Sequence, residues 1–151
     1  MSNLSSLKLV NIDKKNWDIF CSMYPGDVGA NFVSSNAYSL VQSYFEESWI
    51  TKGIIYDGES VGFTMYGFDK ENERYELCRL MVDYRYQGKG IGKKVIPLII
   101  SEMVDCFNCQ KIFLSTGSEN KKAISLYESF NFFKTGEVLE NELVFCLEVS
   151  I

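Results

Sequence analysis

The chain has 151 residues, a length typical of one domain, and we expect a single domain over residues 1–151. Its 46% apolar and 23% charged residues are ordinary values for a globular protein and argue against disorder. Histidine is absent, which excludes serine–histidine and cysteine–histidine catalytic pairs and histidine metal ligands. Proton chemistry must therefore use Asp, Glu, Tyr, Lys or Cys, a backbone group or water. The net charge of −5 disfavours nucleic acid as a general partner.

The cysteines and the apolar runs bear on location. The five cysteines are an odd number, and no apolar leader follows Met1, so we expect reduced thiols and a cytoplasmic protein. Cys106 and Cys109 form a C-x-x-C pair without a second pair of ligands, so neither a redox site nor a metal site is expected. No apolar run reaches 18 residues, so no membrane partner is expected.

The first half of the chain predicts a strand, two helices and three further strands. These elements cover residues 7–12, 14–23, 37–47, 50–56, 60–68 and 74–83. Asp13 and Asn36 are the candidate caps of the two helices. The dipeptide Asp57-Gly58 is a strong hairpin signal between two of the strands.

The second half predicts a helix, a strand, a second helix and a closing hairpin. These elements cover residues 90–107, 111–115, 118–130, 132–138 and 143–149. Ser118 is the candidate cap of the second helix, and Pro97 should kink the first. The order predicts a mixed α/β fold in which an antiparallel meander leads into a β-α-β unit.

A basic, glycine-rich turn lies between the strand at 74–83 and the following helix. Residues 85–94 carry four positive charges and no acid, so the remaining chain has a net charge of −9. Backbone N–H groups in such a turn converge on an anion, although a solvated basic turn is the alternative. Lys94 stands where a P-loop needs Ser or Thr, and Gly92 comes one residue early for a dinucleotide fingerprint. The pyrophosphate of coenzyme A fits better than either nucleotide.

Two motifs, in this order, resemble the GNAT superfamily of acyl-CoA-dependent N-acyltransferases. The sequence QGKGIG at 87–92 matches the motif [Q/R]-x-x-G-x-[G/A], and NKKAISLYE at 120–128 resembles the second signature. The closest resemblance is to small bacterial diamine and polyamine N-acetyltransferases. It implies an α/β fold with a mixed, mostly antiparallel central sheet of about six to seven strands, splayed between the fourth and fifth, and flanked by about four helices.

The resemblance also implies acetyl-CoA as co-substrate and no metal. The pantetheine arm would lie in the splay and pair with exposed strand backbone, as an added strand would. The residues that the resemblance assigns to the cofactor are Leu80, Met81, Val82, Gln87, Gly88, Lys89, Gly90, Ile91, Gly92, Lys93 and Asn120. The side chains at 80–82 are equally consistent with ordinary strand core, because the implied contact uses their backbone.

Tyr127 is the candidate general acid. It lies on one helix face with Asn120 and Ala123, and a phenol with an ordinary pKa of about 10 can protonate a departing thiolate. The family gives the tyrosine at this position that role; an ordinary core tyrosine is the alternative.

Glu76 is the candidate general base. Relatives often carry an acid near the middle of this strand, where this chain has Cys78 and Arg79, and Glu76 is the nearest carboxylate of matching parity. Strand alternation predicts one shared face for the even-numbered residues from Arg74 to Val82. A solvent-facing glutamate and a water chain are the alternatives.

The expected function is transfer of an acetyl group from acetyl-CoA to a primary amine by direct attack on the thioester. The acidic remainder of the chain favours a small cationic acceptor such as a polyamine or diamine, with Glu46 and Glu47 as candidate ammonium contacts. A protein N-terminus, an amino sugar or an amino acid remain alternative acceptors. A non-catalytic acyl-CoA-binding sensor is a further alternative, and a homodimer is the candidate assembly.

Overall fold

The computed structural model describes residues 6–27, 29–31 and 34–149. Its seven strands are β1 Leu7–Asn11, β2 Trp49–Tyr56, β3 Glu59–Asp69, β4 Arg74–Val82, β5 Lys111–Gly117, β6 Phe133–Leu139 and β7 Glu142–Glu148. Its four α-helices are α1 Trp17–Cys21, α2 Asn36–Phe45, α3 Ile91–Phe107 and α4 Lys121–Glu128. Short 3-10 turns cover Gly29–Asn31 and Tyr84–Tyr86. No helix in these ranges is long and apolar enough to span a membrane.

One sheet in the order β1-β2-β3-β4-β5-β7-β6 contains all seven strands. Every neighbouring pair is antiparallel except β4 and β5, which are parallel because α3 connects them as a crossover. The predicted mixed α/β class is therefore confirmed. The hairpin between β2 and β3 is also confirmed, with Asp57 at φ 51° and Gly58 at φ 83°, as a primed two-residue turn requires.

The sheet opens between β4 and β5. A single residue pair, Glu76 opposite Phe113, joins the two strands, whereas β3 and β4 pair from Gly62 opposite Val82 to Asp69 opposite Arg74. Among the residues that the structure describes, none pairs as a strand with the β4 edge beyond Glu76 that faces β5. The predicted splay between the fourth and fifth strands is confirmed.

Each face of the sheet has its own core. The larger core packs α3 against the sheet and includes Ile99 and Met103 of α3 with Ile124 of α4. The smaller core includes Phe20 from α1 and Met81 from β4, with Leu40 of α2 packed against it. The helices α1 and α2 therefore cover the face of β4 opposite to α3.

A β-bulge in β4 contradicts the predicted alternation. Arg79 pairs with Met65 and Leu77 with Tyr66, so Cys78 is an additional residue with no partner in β3. Such a bulge turns the following side chains to the other face. Glu76 and Cys78 therefore lie on the α2 face, whereas Leu80 and Val82 contact the α3 core.

Three predicted helix caps are wrong. Asp13 caps only a turn, accepting from the N–H of Lys15 at 2.8 Å, and α1 begins at Trp17. The cap of α2 is Ser35, whose Oγ accepts from the N–H of Tyr38 at 3.1 Å. Tertiary packing decides this choice, because Asn36 is buried and donates to the carbonyl of Phe20 at 2.8 Å. The cap of α4 is Asn120 and not Ser118.

Candidate active site

The glycine-rich turn forms an anion cradle at the start of α3. Gly88 and Gly90 have φ values of 81° and 75°, and Gly90 is the left-handed cap of the helix. Within the described ranges, no backbone N–H of residues 88–93 donates to a protein acceptor, although the carbonyl of Gly90 accepts from Lys94. A Cβ at Gly88 or Gly90 would meet no atom within 4 Å. Free amides, open space and the positive end of the helix dipole together favour an anion here.

The four cations of this turn are not equivalent. Arg85 pairs with buried Asp83, with 2.8 Å between Nε and Oδ1, and Lys94 donates to the hydroxyl of Tyr56 at 2.7 Å. Burial opposes the charge of Asp83, but hydrogen bonds from Arg85 and Tyr24 hold the pKa of Asp83 below its usual range. Lys89 and Lys93 have exposed side chains beside the turn. Arg85 and Lys94 are thus bonded within the protein, where they stabilise the fold.

Gln87 and Gly92 hold the turn against its neighbours. The side-chain amide of Gln87 donates to the carbonyl of Val82 at 2.8 Å and to that of Pro25 at 2.9 Å. A Cβ at Gly92 would lie 3.2 Å from Cδ2 of Leu126, so this glycine allows α3 to approach α4 closely. The structure therefore places the turn at the end of β4 and beside α4, and it uses the Gln87 side chain as a brace.

Asn120 and Tyr127 lie at opposite ends of α4. Asn120 is the cap: its Oδ1 accepts from the N–H of Ala123 at 3.4 Å, and its Nδ2 donates to Thr116 at 3.3 Å. Tyr127 packs its ring edge-on against Phe132, with 5.7 Å between the centroids. Burial raises the pKa of Tyr127 to about 12. The phenol is therefore protonated at neutral pH and available as a proton donor.

Glu76 lies where β4 and β5 separate. Burial, together with a hydrogen bond to Asp69 and the charge of that residue, raises the pKa of Glu76 to about 7, against the opposing effect of Arg74 and Arg79. This value lies near neutral pH, where a general base works best. The side chain of Glu76 is partly buried, so it is not the fully solvent-facing glutamate of the alternative.

Polar contacts connect β4 to α2 beside Glu76. Nη1 of Arg79 donates to Sγ of Cys78 at 2.8 Å, and Nη2 donates to Oε1 of Gln42 at 3.4 Å. Glu46 accepts from Nε1 of Trp49 at 2.8 Å. Burial is the main cause that raises the pKa of Cys78 to about 12, so its thiol is neutral.

Sequence reasoning missed Asp69, which it placed in a polar turn. The register between β3 and β4, which the sequence does not show, sets Asp69 opposite Arg74 and diagonal to Glu76. The candidate acid Tyr127 and the candidate base Glu76 lie on different elements, α4 and β4. In the described part of the chain, no group of side chains is arranged to hold a metal ion.

Comparisons with known proteins agree with this architecture. The model of the acetyltransferase (GNAT) family matches residues 14–132. A spermine/spermidine N(1)-acetyltransferase of Bacillus subtilis is 41% identical over 92 residues, which cover 57% of this chain and 60% of that protein. The chain thus matches about three fifths of this curated relative.

Solved structures share the fold over nearly the whole chain. An aminoglycoside acetyltransferase in complex with coenzyme A has a TM-score of 0.78 at 14% identity, covering 95% of both chains. Spermidine N-acetyltransferase from Vibrio cholerae, in complex with CoA and spermine, has a TM-score of 0.74 at 16% identity, covering 95% of this chain and 94% of the other. At these identities the likeness establishes the fold.

Proposed function

The chain belongs to the acetyltransferase (GNAT) family, and we propose that it transfers the acetyl group of acetyl-CoA to a primary amine of a polyamine or diamine. The observation that carries this proposal is the anion cradle at residues 88–93, which lies at the end of the free edge of β4. An acyl-CoA needs both parts: amides for its pyrophosphate and an unpaired strand edge for its pantetheine arm. The names of the relatives support acetyl transfer to a polyamine.

In this proposal the cofactor is bound mainly by backbone. The amides of residues 88–93 hold the pyrophosphate, with the side chains of Lys89 and Lys93 beside it, and the β4 backbone at 80–82 faces the pantetheine arm. Gln87 fixes the end of β4 relative to the turn. Asn120 already makes two hydrogen bonds within the protein, both longer than 3.2 Å, and it would exchange one of them for the pantetheine arm.

The proposed reaction is direct transfer. Glu76 takes a proton from the acceptor nitrogen, and the nitrogen lone pair attacks the thioester carbonyl carbon. A C–N bond forms as the C–S bond breaks, and Tyr127 gives its proton to the departing thiolate. The products are the N-acetyl amine and CoA, and solvent restores both side chains to their starting protonation states. A pKa near 7 for Glu76 and near 12 for Tyr127 suits the two roles.

The charge around the splay favours a cationic acceptor. The charges of Asp69, Glu76 and Glu46 all raise the pKa of Cys78, against the opposing charge of Arg79, so three carboxyl groups lie near the α2 face of β4. The body of the protein is also acidic, which attracts a polycation over long range. Negative charge near the α2 face of β4 attracts the amine, and positive charge on the turn at residues 85–94 attracts acetyl-CoA. The two substrates are thereby drawn to different places.

A cytoplasmic location and a homodimer belong to the same proposal. All five cysteines are free thiols, which supports a reducing compartment. Phe133 on the edge strand β6 is 46% exposed, a surface that a second copy could cover.

The test is release of free thiol from acetyl-CoA with a panel of amines. We expect spermine and spermidine to give the highest kcat/KM, above a peptide N-terminus, an amino sugar and an amino acid. Of the two candidate ammonium contacts, Glu46 is the one whose charge acts on Cys78 of β4. Glu46→Gln should therefore raise the KM for spermidine about threefold with no change for acetyl-CoA, and Glu47→Gln is the matched control. A peptide or amino sugar as the best substrate would refute the polyamine assignment. Tight CoA binding with no thiol release from any amine would indicate the sensor.

A further inference from the structure

A pair of carboxyl groups lies on the α2 face of the sheet, at the end of β3. Gly67 pairs with Glu76 across β3 and β4, and Asp69 pairs with Arg74. Asp69 and Glu76 are therefore diagonal neighbours on one face, a spacing that long side chains can bridge. Gly67 presents no side chain between them. When Glu76 carries a proton, it can therefore donate a hydrogen bond to Asp69, and this bond and the charge of Asp69 both raise the pKa of Glu76.

Asp69 is the fixed, charged member of this pair. It is 9% exposed, and its Oδ1 accepts from the N–H groups of Glu71 at 3.0 Å and Asn72 at 3.2 Å. Its Oδ2 accepts from Nδ2 of Asn72 at 2.7 Å. Burial opposes the charge, but these hydrogen bonds hold the pKa of Asp69 below its usual range. When the pair takes up a proton, that proton therefore resides on Glu76 and not on Asp69.

The nearby arginines are engaged elsewhere. Arg74 forms an ion pair with Glu137 at 2.8 Å, and its guanidinium lies 4.6 Å from the ring centroid of Phe113. Arg79 points to Cys78 and to Gln42 of α2. In the part of the chain that the structure describes, no basic side chain lies within 4.0 Å of either carboxyl group.

Apart from the two arginines, the groups around Glu76 are neutral or negatively charged. A proton is therefore what can hold the two carboxyl groups together. The thiol of Cys78 is neutral, and the strand opposite contributes the uncharged Phe113. Glu46, which follows the last residue of α2, adds negative charge to the same surroundings, since it raises the pKa of Cys78. Anionic surroundings favour a proton over a carboxylate at Glu76.

We propose that Asp69 is a positioning residue for the general base: it orients Glu76 and stabilises the protonated form that follows proton transfer from the amine. This inference rests on the proposed function, because the role of Glu76 is part of it. The proton leaves the acceptor nitrogen, bonds to a carboxylate oxygen of Glu76 and is shared with Asp69. It passes to solvent after the acetyl group has been transferred.

The direct test follows the titration of Glu76 in the free protein, without substrates. The side-chain carboxyl carbons are labelled with carbon-13, and the Glu76 signal is assigned as the one lost in Glu76→Gln. Asp69→Asn keeps an Oδ1 that can accept from Glu71 and Asn72, while it removes the charge. We expect the proton affinity of Glu76 to fall at least about tenfold in this variant. Glu71→Gln removes an exposed charge from the same turn and should leave the titration of Glu76 unchanged.

Activity provides the second readout. The acid limb of the pH profile of kcat/KM should move to lower pH in Asp69→Asn, in step with the titration of Glu76. A merely structural role would lower the rate equally at all pH values and leave the limb in place. An unchanged Glu76 titration in a folded Asp69→Asn protein would overturn the inference.

A second variant covers the case in which Asp69→Asn does not fold. Asn72→Ala removes one of the bonds that keep Asp69 charged, so the shared proton should move toward Asp69 and the proton affinity of Glu76 should fall. No fall would overturn the inference equally. Absence of acetyl transfer by the wild-type protein would refute the proposed function and with it the catalytic role of Asp69. The titration would still decide whether Asp69 controls the proton affinity of Glu76.

Discussion

Replacement of Gly90 by alanine separates the folding role of this glycine from its proposed role in binding. Gly90 and Gly58 both have a positive φ, 75° and 83°, and a Cβ at either position would meet no atom within 4 Å. Gly90→Ala and Gly58→Ala therefore carry the same backbone penalty and create no clash. Only Gly90 lies in the anion cradle, and Gly58 lies in the hairpin between β2 and β3.

The folding cost follows from the left-handed backbone. An L-residue with a side chain loses about 1–2 kcal/mol there relative to glycine. In a domain of this size the melting temperature should fall by about 2–8 °C, and by the same amount in both variants.

The binding cost arises only at Gly90. Its Cβ enters open space at the turn to which the pyrophosphate is assigned. Loss of one hydrogen bond from a backbone N–H to a charged phosphate costs about 1.5–3 kcal/mol, which corresponds to an increase in the Kd for CoA of about 10- to 100-fold. Gly58→Ala should leave this Kd unchanged.

Calorimetric titration with CoA, at one temperature and one salt concentration, measures the Kd of the wild type, Gly90→Ala and Gly58→Ala. Equal stability loss with a weaker Kd in Gly90→Ala alone is the expected result. If the two variants bind CoA equally well, the pyrophosphate does not lie on this turn and the assignment of residues 88–93 fails.

Two further predictions concern single side chains. Tyr127→Phe keeps the ring packed on Phe132 and should lower kcat by about 100-fold or more while the Kd for CoA stays unchanged; an unchanged kcat would show that another group protonates the thiolate. Asp83 has a folded pKa below its ordinary value, so its charge stabilises the protein above about pH 4 and this stabilisation is lost as the pH falls further. Urea unfolding between pH 6 and pH 3 should therefore depend less on pH in Asp83→Asn than in the wild type, and parallel curves would contradict the role of the carboxylate.

The elements and the turn could be predicted because their signals are local. The pair Asp57-Gly58 needs only its own backbone preferences to form a primed turn, and the glycines at 88 and 90 need only theirs. Asn131 likewise has the left-handed backbone, at φ 72°, that follows the end of a helix. At each of these positions, the residue and its immediate neighbours in the sequence determine the backbone conformation.

The caps and the face of β4 could not be predicted, because distant contacts decide them. Ser35 and Asn36 are both good helix caps, and the burial of Asn36 against Phe20 leaves the role to Ser35. The bulge at Cys78 exists only in the register between β3 and β4. One additional residue there reverses the faces of Leu80 and Val82 relative to simple alternation.

The bulge also determines which side chains surround Glu76. With regular alternation the guanidinium of Arg79 would point to the α3 core, away from α2. The bulge instead directs it along the α2 face, where Cys78 and Gln42 accept its hydrogen bonds. Arg74 is held in the opposite direction by Glu137. Because both arginines are bonded to other groups, neither forms an ion pair with Glu76, and the neighbouring Asp69 raises the pKa of Glu76.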